Sequence, residues 1–319
     1  MIDRDQLPQS LKGVLPVFQT PFHNDESLDI ETLERELSWL LDMGVAGVVM
    51  AMVSEVLRLS HVERKQLAEH VCGFVGDRCA TVISVGAEST HTAVDLAIHA
   101  ESIGAHAVMA IPPVATAPLK AELHSYYEQL LRAVAIPVIV QDASGYVGRP
   151  MSIELQAKLL DAWGDRVQFK PEASPVGPRL SALRDATQGK ARVFEGSGGM
   201  YLVDSYHRGV VGTMPGADLA RANLALWNAL EDGDRPRTDQ ISLPLIALVS
   251  LQTSLDAFLA IEKHLLVRQG IFSNTVIRGP VGFQLDDETR SEVDRLFDLL
   301  EAALNETNSN SDAGSQPDA

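Results

Sequence analysis

Short apolar runs rich in valine and isoleucine alternate along this chain with stretches in which apolar residues recur every three or four positions. The runs are Gly13 to Gln19, Gly47 to Met52, Ala80 to Gly86, Ala107 to Pro112, Pro137 to Asp142, Val167 to Lys170, Arg192 to Gly196 and Gly209 to Met214. They read as eight strands. Between them lie helical patterns such as "DIETLERELSWLLDMG", "SHVERKQLAEHVCGFVG" and "THTAVDLAIHAESIG", opened by Asp, Ser or Thr as N-caps and several closed by glycine. The alternation repeats every ~30 residues, the size of one βα unit. Strands apolar on both faces and separated by helices imply a parallel sheet covered by helices, and eight such units close most simply into a (β/α)8 TIM barrel. A doubly wound open sheet is the alternative, but no GxGxxG follows the first strand.

After the eighth unit the pattern turns wholly helical, including "SLDAFLAIEKHLLVRQG" and "DDETRSEVDRLFDLLEAAL". The expected organisation is therefore barrel strands and helices over 1–216, then the last barrel helix and a C-terminal helical appendage over 217–304. A disordered tail is expected over 305–319, because "NETNSNSDAGSQPDA" has no apolar side chain larger than alanine.

Charge narrows the partners. With 43 acidic against 26 basic side chains, the formal net charge of −17 argues against nucleic acid or an anionic membrane surface. The opening "MIDRDQLPQSLKG" has no basic stretch followed by an apolar core, and no apolar run approaches the roughly 20 residues of a membrane helix. A cytoplasmic protein is expected. Cys72 and Cys79 stand without a CxxC or Cys/His cluster and read as reduced thiols, and the nine histidines show no HxxxH or HExxH spacing, so no metal is expected.

The chemistry centres on "VQFKPEAS", where an apolar run ends in Lys170. Pro171 lacks an N–H to continue the ladder, which places the amine at the C-terminal rim of strand six, where barrels build their active sites. The other six lysines (Lys12, Lys65, Lys120, Lys158, Lys190, Lys263) fall in turns or on helical patterns. A buried ammonium without a role is costly, and a neutral amine in dry surroundings attacks a ketone to give a Schiff base. Glu172 lies two residues on, an offset that in extended chain puts both side chains on one side. It is either a proton shuttle or an ion-pair partner for Lys170. At the end of strand five either Gln141 or Asp142 faces the barrel axis, and the strand-seven loop "EGSGG" offers N–H groups from Gly196, Ser197 and Gly198 to a substrate carboxylate.

The stretches "GVLPVFQTPFHNDESLDIETLERELSWLLDMGVAGVV", "SEVLRLSHVERKQLAE", "IPVIV" and "FKPEAS" give the chain, from about Leu11 to Leu304, a sequence that resembles the dihydrodipicolinate synthase and N-acetylneuraminate lyase family. The resemblance implies a tetrameric barrel enzyme that binds a small-molecule 2-keto acid on a strand-six lysine, here Lys170, with no other cofactor. Departures matter as much. The family's "GTTGE" turn is "AMVSE" here, so Met52 and Val53 stand at the threonine positions, and substrate contacts fall to Ser54, Glu55 and backbone N–H groups. The strand-five tyrosine is replaced by Gln141, the "PYY" tyrosine is missing from "IPPVA", and the aldehyde-binding arginine would fall near Tyr146. A lysine, a glutamate two residues on and a glutamine resemble the branch that dehydrates 2-keto-3-deoxy sugar acids. The rivals are a pyruvate-dependent aldolase and a non-catalytic keto-acid binding protein.

Overall fold

The protein is described here over residues 11–306 of a computed structural model. Eight parallel strands, β1 (Gly13–Val14), β2 (Gly47–Val49), β3 (Ala80–Ser84), β4 (Ala107–Ala110), β5 (Val138–Asp142), β6 (Val167–Pro171), β7 (Arg192–Glu195) and β8 (Gly212–Thr213), run in the order β1-β8-β7-β6-β5-β4-β3-β2. A bridge from Val17 to Val49 joins the two ends and closes the TIM barrel. The expected eight units are all present.

Helices α1 (Ile30–Asp42), α2 (His61–Val75), α3 (Thr90–Ser102), α4 (Lys120–Ala133), α5 (Ile153–Trp163), α6 (Val176–Ala186), α7 (Leu202–His207) and α8 (Ala220–Glu231) follow the strands in turn. Their starts are set by side chains: Asp29 caps α1, Ser60 and Glu63 form a reciprocal capping box on α2, and Ser152 caps α5. On α3 the cap is Ser89, one residue before the threonine that the pattern suggested. The appendage is α9 (Arg235–Val249), α10 (Leu255–Arg268) and α11 (Asp287–Asn305), with α9 packed on α8 and α11. The expected tail thus begins inside α11, and residues 307–319 lie outside the described residues.

β1 and β8 are much shorter than their apolar runs. Pro16 and Pro215 lack N–H groups, so regular pairing ends early, yet the strands stay in register through Leu15 N–H to Thr213 and Val17 N–H to Pro215. Alternation along the strands separates two cores. Leu15, Val17, Val49, Val82, Ala107, Met109, Ile139, Phe194 and Met214 fill the barrel, while Val48, Ile83, Val108, Val140 and Phe169 pack outward with the helices. Cys72 and Cys79 are free thiols, and no described helix is long and apolar enough to cross a membrane.

Candidate active site

The parity that fills the barrel also aims the chemistry. On β5, Gln141 follows Ile139 inward, whereas Asp142 turns outward, where Met151 N–H donates to it at 2.9 Å and Arg179 at 3.3 Å. On β6 and just beyond it, Lys170 and Glu172 enter the same cavity as Gln141, a narrow space of about 30 Å³. Lys170 Nζ donates to Glu172 Oε1 at 2.9 Å, and Gln141 Nε2 donates to Glu172 Oε2 at 2.7 Å. Both charged residues are buried, at 4% and 9% exposure. Burial pushes the Glu172 carboxyl above its usual range, although Lys170 and Gln141 pull it the other way.

Pairing of β6 with β5 does not stop at Lys170, as its proline neighbour suggested, but runs through Pro171, with Glu172 N–H donating to Asp142 O at 2.9 Å. Successive residues of a parallel strand bond to opposite neighbours, so the donor that Pro171 lacks would have faced β7. There pairing does end, at Phe169. The extension carries Glu172 to the height of the amine. Gly196 makes room for both: a Cβ there would lie 2.8 Å from Lys170 Cε and 2.9 Å from Glu172 Oε1.

The strand-seven loop divides. Gly196 and Gly198 line the lysine cavity, while Ser197 lines an adjoining cleft. Its hydroxyl bonds to Glu195 and accepts from Tyr201 N–H at 2.9 Å. Ser54 and Glu55 are placed elsewhere than expected. Met52 to Ser54 form one 3-10 turn, and the Ser54 hydroxyl donates to Phe18 O and accepts from Ala51 N–H, which leaves it wholly inside the protein. Glu55, in a left-handed conformation (φ 55°), turns to Lys263, Arg58 and the Arg278 N–H. Neither residue reaches the cavity, because the turn is short and its polar side chains are spent on closing it. What it offers there is Met52 and Val53, whose N–H groups open the turn and have no partner within it.

Residues 10–299 match the dihydrodipicolinate synthetase family. The chain belongs to that family. It is 27% identical over 293 residues to L-2-keto-3-deoxyarabonate dehydratase of Azospirillum brasilense, a match covering 88% of this chain and 92% of that protein. To 4-hydroxy-tetrahydrodipicolinate synthase of Bartonella quintana (strain Toulouse) it is 31% identical over 176 residues, which span 55% of this chain and only 60% of that relative. Among solved structures, YagE of Escherichia coli K12, a prophage protein of the dihydrodipicolinic acid synthase family in complex with pyruvate, superposes with a TM-score of 0.83 at 21% identity, covering 91% of this chain and 98% of that one.

This family member carries further groups in the cavity that sequence reasoning missed as functional. Tyr146 lies edge-on to Phe258, with ring centroids 5.4 Å apart, and burial among Glu172, Glu195 and Glu262 pushes its phenol above the ordinary range. Leu255, Phe258 and Glu262 enter from α10 at i, i+3 and i+7, one face of the helix. The available signal was Glu262 itself, an acid in an otherwise apolar stripe.

Proposed function

We propose that this family member is a Schiff-base dehydratase of a 2-keto-3-deoxy sugar acid, with a five-carbon acid such as 2-keto-3-deoxyarabonate as substrate and a 2-oxo acid semialdehyde as product. The observation that carries the reading is the cavity trio: a buried lysine whose one hydrogen-bond partner among the described residues is a buried glutamate, itself held by a glutamine. The similarity to a keto-deoxyarabonate dehydratase along nearly the whole of both chains supports it.

Glu172 accepts a proton from Lys170, and the neutral amine attacks the C2 ketone; Glu172 then returns the proton to the carbinolamine hydroxyl, which leaves as water to give the protonated imine. Backbone N–H groups of Met52, Val53 and the Gly196–Gly198 loop hold the C1 carboxylate, in place of the Ser54 hydroxyl. The protonated imine acidifies C3, and Glu172 removes that proton while Gln141 fixes the orientation of its carboxylate. The enamine then expels the C4 hydroxyl as water, and tautomerisation and hydrolysis free the product.

The test is to identify the product of 2-keto-3-deoxyarabonate by NMR, for the protein and for Lys170→Ala. Semialdehyde from the former and nothing from the folded variant is expected. Pyruvate as the product would replace this reading with an aldolase, and a folded Lys170→Ala variant that still turns over would remove the mechanism.

A further inference from the structure

The mechanism above leaves one proton unassigned, the one that departs with the C4 hydroxyl. We propose that Glu262 is the general acid that supplies it, so that this cavity works with two carboxyls carried by different elements. The inference rests on the dehydratase reading and extends it.

Position is the first argument. Glu262 stands beside Gly216, just past the end of β8, where a Cβ would lie 2.0 Å from Glu262 Oε1 and 2.7 Å from Asp218 Oδ1. Gly216 bridges to Val17 at the end of β1. Gly216 and Glu262 line the same cavity as Gln141 on β5 and Lys170 and Glu172 on β6, so Glu262 enters that cavity from the β8–β1 side. Its Oε2 accepts from the Gln19 amide, and its Oε1 has no hydrogen-bond partner among the described residues.

The surroundings keep a proton on it. Behind Glu262 lie Glu36, which accepts from Gln19 N–H at 2.9 Å, and Asp218, whose carboxyl no side chain pairs among the described residues. All three carboxyls are at most 2% exposed. The nearest cation, Lys263, is bound to Glu55. Three buried carboxylates cannot all ionise against a cation already in use. Burial first, then the charges of Asp218 and Glu36, drive the Glu262 carboxyl well above its usual range, and burial lifts Asp218 to about 7. Gly216 packs against both Glu262 and Asp218, which holds the two carboxyls side by side.

The balance is simple. Glu172 takes the C3 proton, and the C3–H pair becomes the enamine double bond with the imine nitrogen as sink. That pair then forms C3=C4, the C4–O bond breaks with its electrons on oxygen, and the Glu262 O–H proton completes water. Giving base and acid to two carboxyls frees Glu172 from having to unload its proton within the same step.

Glu262→Gln tests this, because the amide keeps the size and the contact with Gln19 but gives no acid proton. Rates are compared on 2-keto-3-deoxyarabonate and on its 4-deoxy-4-fluoro analogue, whose fluoride leaves unprotonated. We expect a loss of about 10²- to 10⁴-fold on the hydroxyl substrate, the usual worth of a general acid. On the fluoro substrate the loss should stay under about tenfold, and pyruvate should still be trapped on Lys170 by borohydride. Equal losses on both substrates, or none on the hydroxyl substrate, would overturn the role. If the unaltered protein dehydrates neither substrate, the functional reading itself falls and takes the acid with it. Should the amide variant fail to fold, Glu262→Asp, an acid withdrawn by one methylene, must show the same selective loss.

Discussion

Two buried lysine–glutamate pairs sit within this protein, and they are built for opposite purposes. Lys263 on α10 is 0% exposed, and its ammonium meets Glu55, Thr20 O at 2.9 Å and Val276 O at 2.6 Å, with the Phe22 ring 4.7 Å away. All three of its N–H donors are spent, which fastens the appendage to the barrel. Lys170 is nearly as buried, yet Glu172 is its one partner among the described residues, and the rest of its ammonium faces a cavity. Under the proposed function, satisfaction rather than burial separates a bolt from a nucleophile.

Exchanging each lysine for methionine breaks the comparison most severely. Lys170→Met should bring turnover to background and leave a stable fold, because the cavity admits water to the remaining Glu172. Lys263→Met should do the reverse. It takes the ammonium from a buried Glu55, which keeps Arg58 and the Arg278 N–H, and so costs about 3 kcal/mol in denaturant unfolding, while folded protein still traps pyruvate on Lys170. Loss of trapping in a folded Lys263→Met would show that the second pair also serves the chemistry.

Next in size is Gly196→Ala. Its methyl would meet Lys170 Cε and Glu172 Cγ within 3 Å, so one or both must move. Overpacking of this kind costs about 1–3 kcal/mol, and trapping should slow by at least tenfold. A trapping rate equal to that of the unaltered protein would mean that the amine does not need its present position.

The acids around Lys263 sharpen the contrast through pH. Asp218 holds its proton up to about pH 7 in the folded protein, far above its unfolded value near 4. Its contribution to stability is therefore complete below about pH 4 and is lost as pH rises to about 7, because the folded state binds the proton more tightly. Asp218→Asn should raise the Tm at pH 8, on the order of a few kcal/mol in stability, and reduce the fall in Tm between pH 5 and pH 8. An unchanged fall would place the strain elsewhere.

The smallest effect is expected at Ser54→Ala, which removes the bonds to Phe18 O and Ala51 N–H. It should cost about 1 kcal/mol and leave KM unaltered. A KM raised tenfold would return the hydroxyl to the substrate.

These differences mark how far the sequence was legible. The eight strands and the shared side of Lys170 and Glu172 follow from period-two alternation, a local property that the structure retains, whereas the choice of Gln141 over Asp142 as the inward residue came only from the register of β5. Ser54 and Glu55 were misplaced because a turn residue's direction depends on backbone angles that composition does not encode, here a left-handed Glu55. Glu262 and Lys263 were passed over for a different reason. Helix α10 is apolar nearly all round, with Phe258, Leu259, Ile261, Leu265 and Leu266 all buried, so its pattern does not show which polar residue meets the barrel mouth. That contact joins residues some 240 positions apart, as Gln19 and Lys263 do with their partners.

The most direct test of the central claim is borohydride trapping with 2-keto-3-deoxyarabonate, followed by peptide mapping of the adduct. The account predicts one adduct on Lys170, with the mass of the dehydrated substrate, and none on Lys263. A chain that folds and turns over the substrate while Lys170 remains unmodified would contradict it.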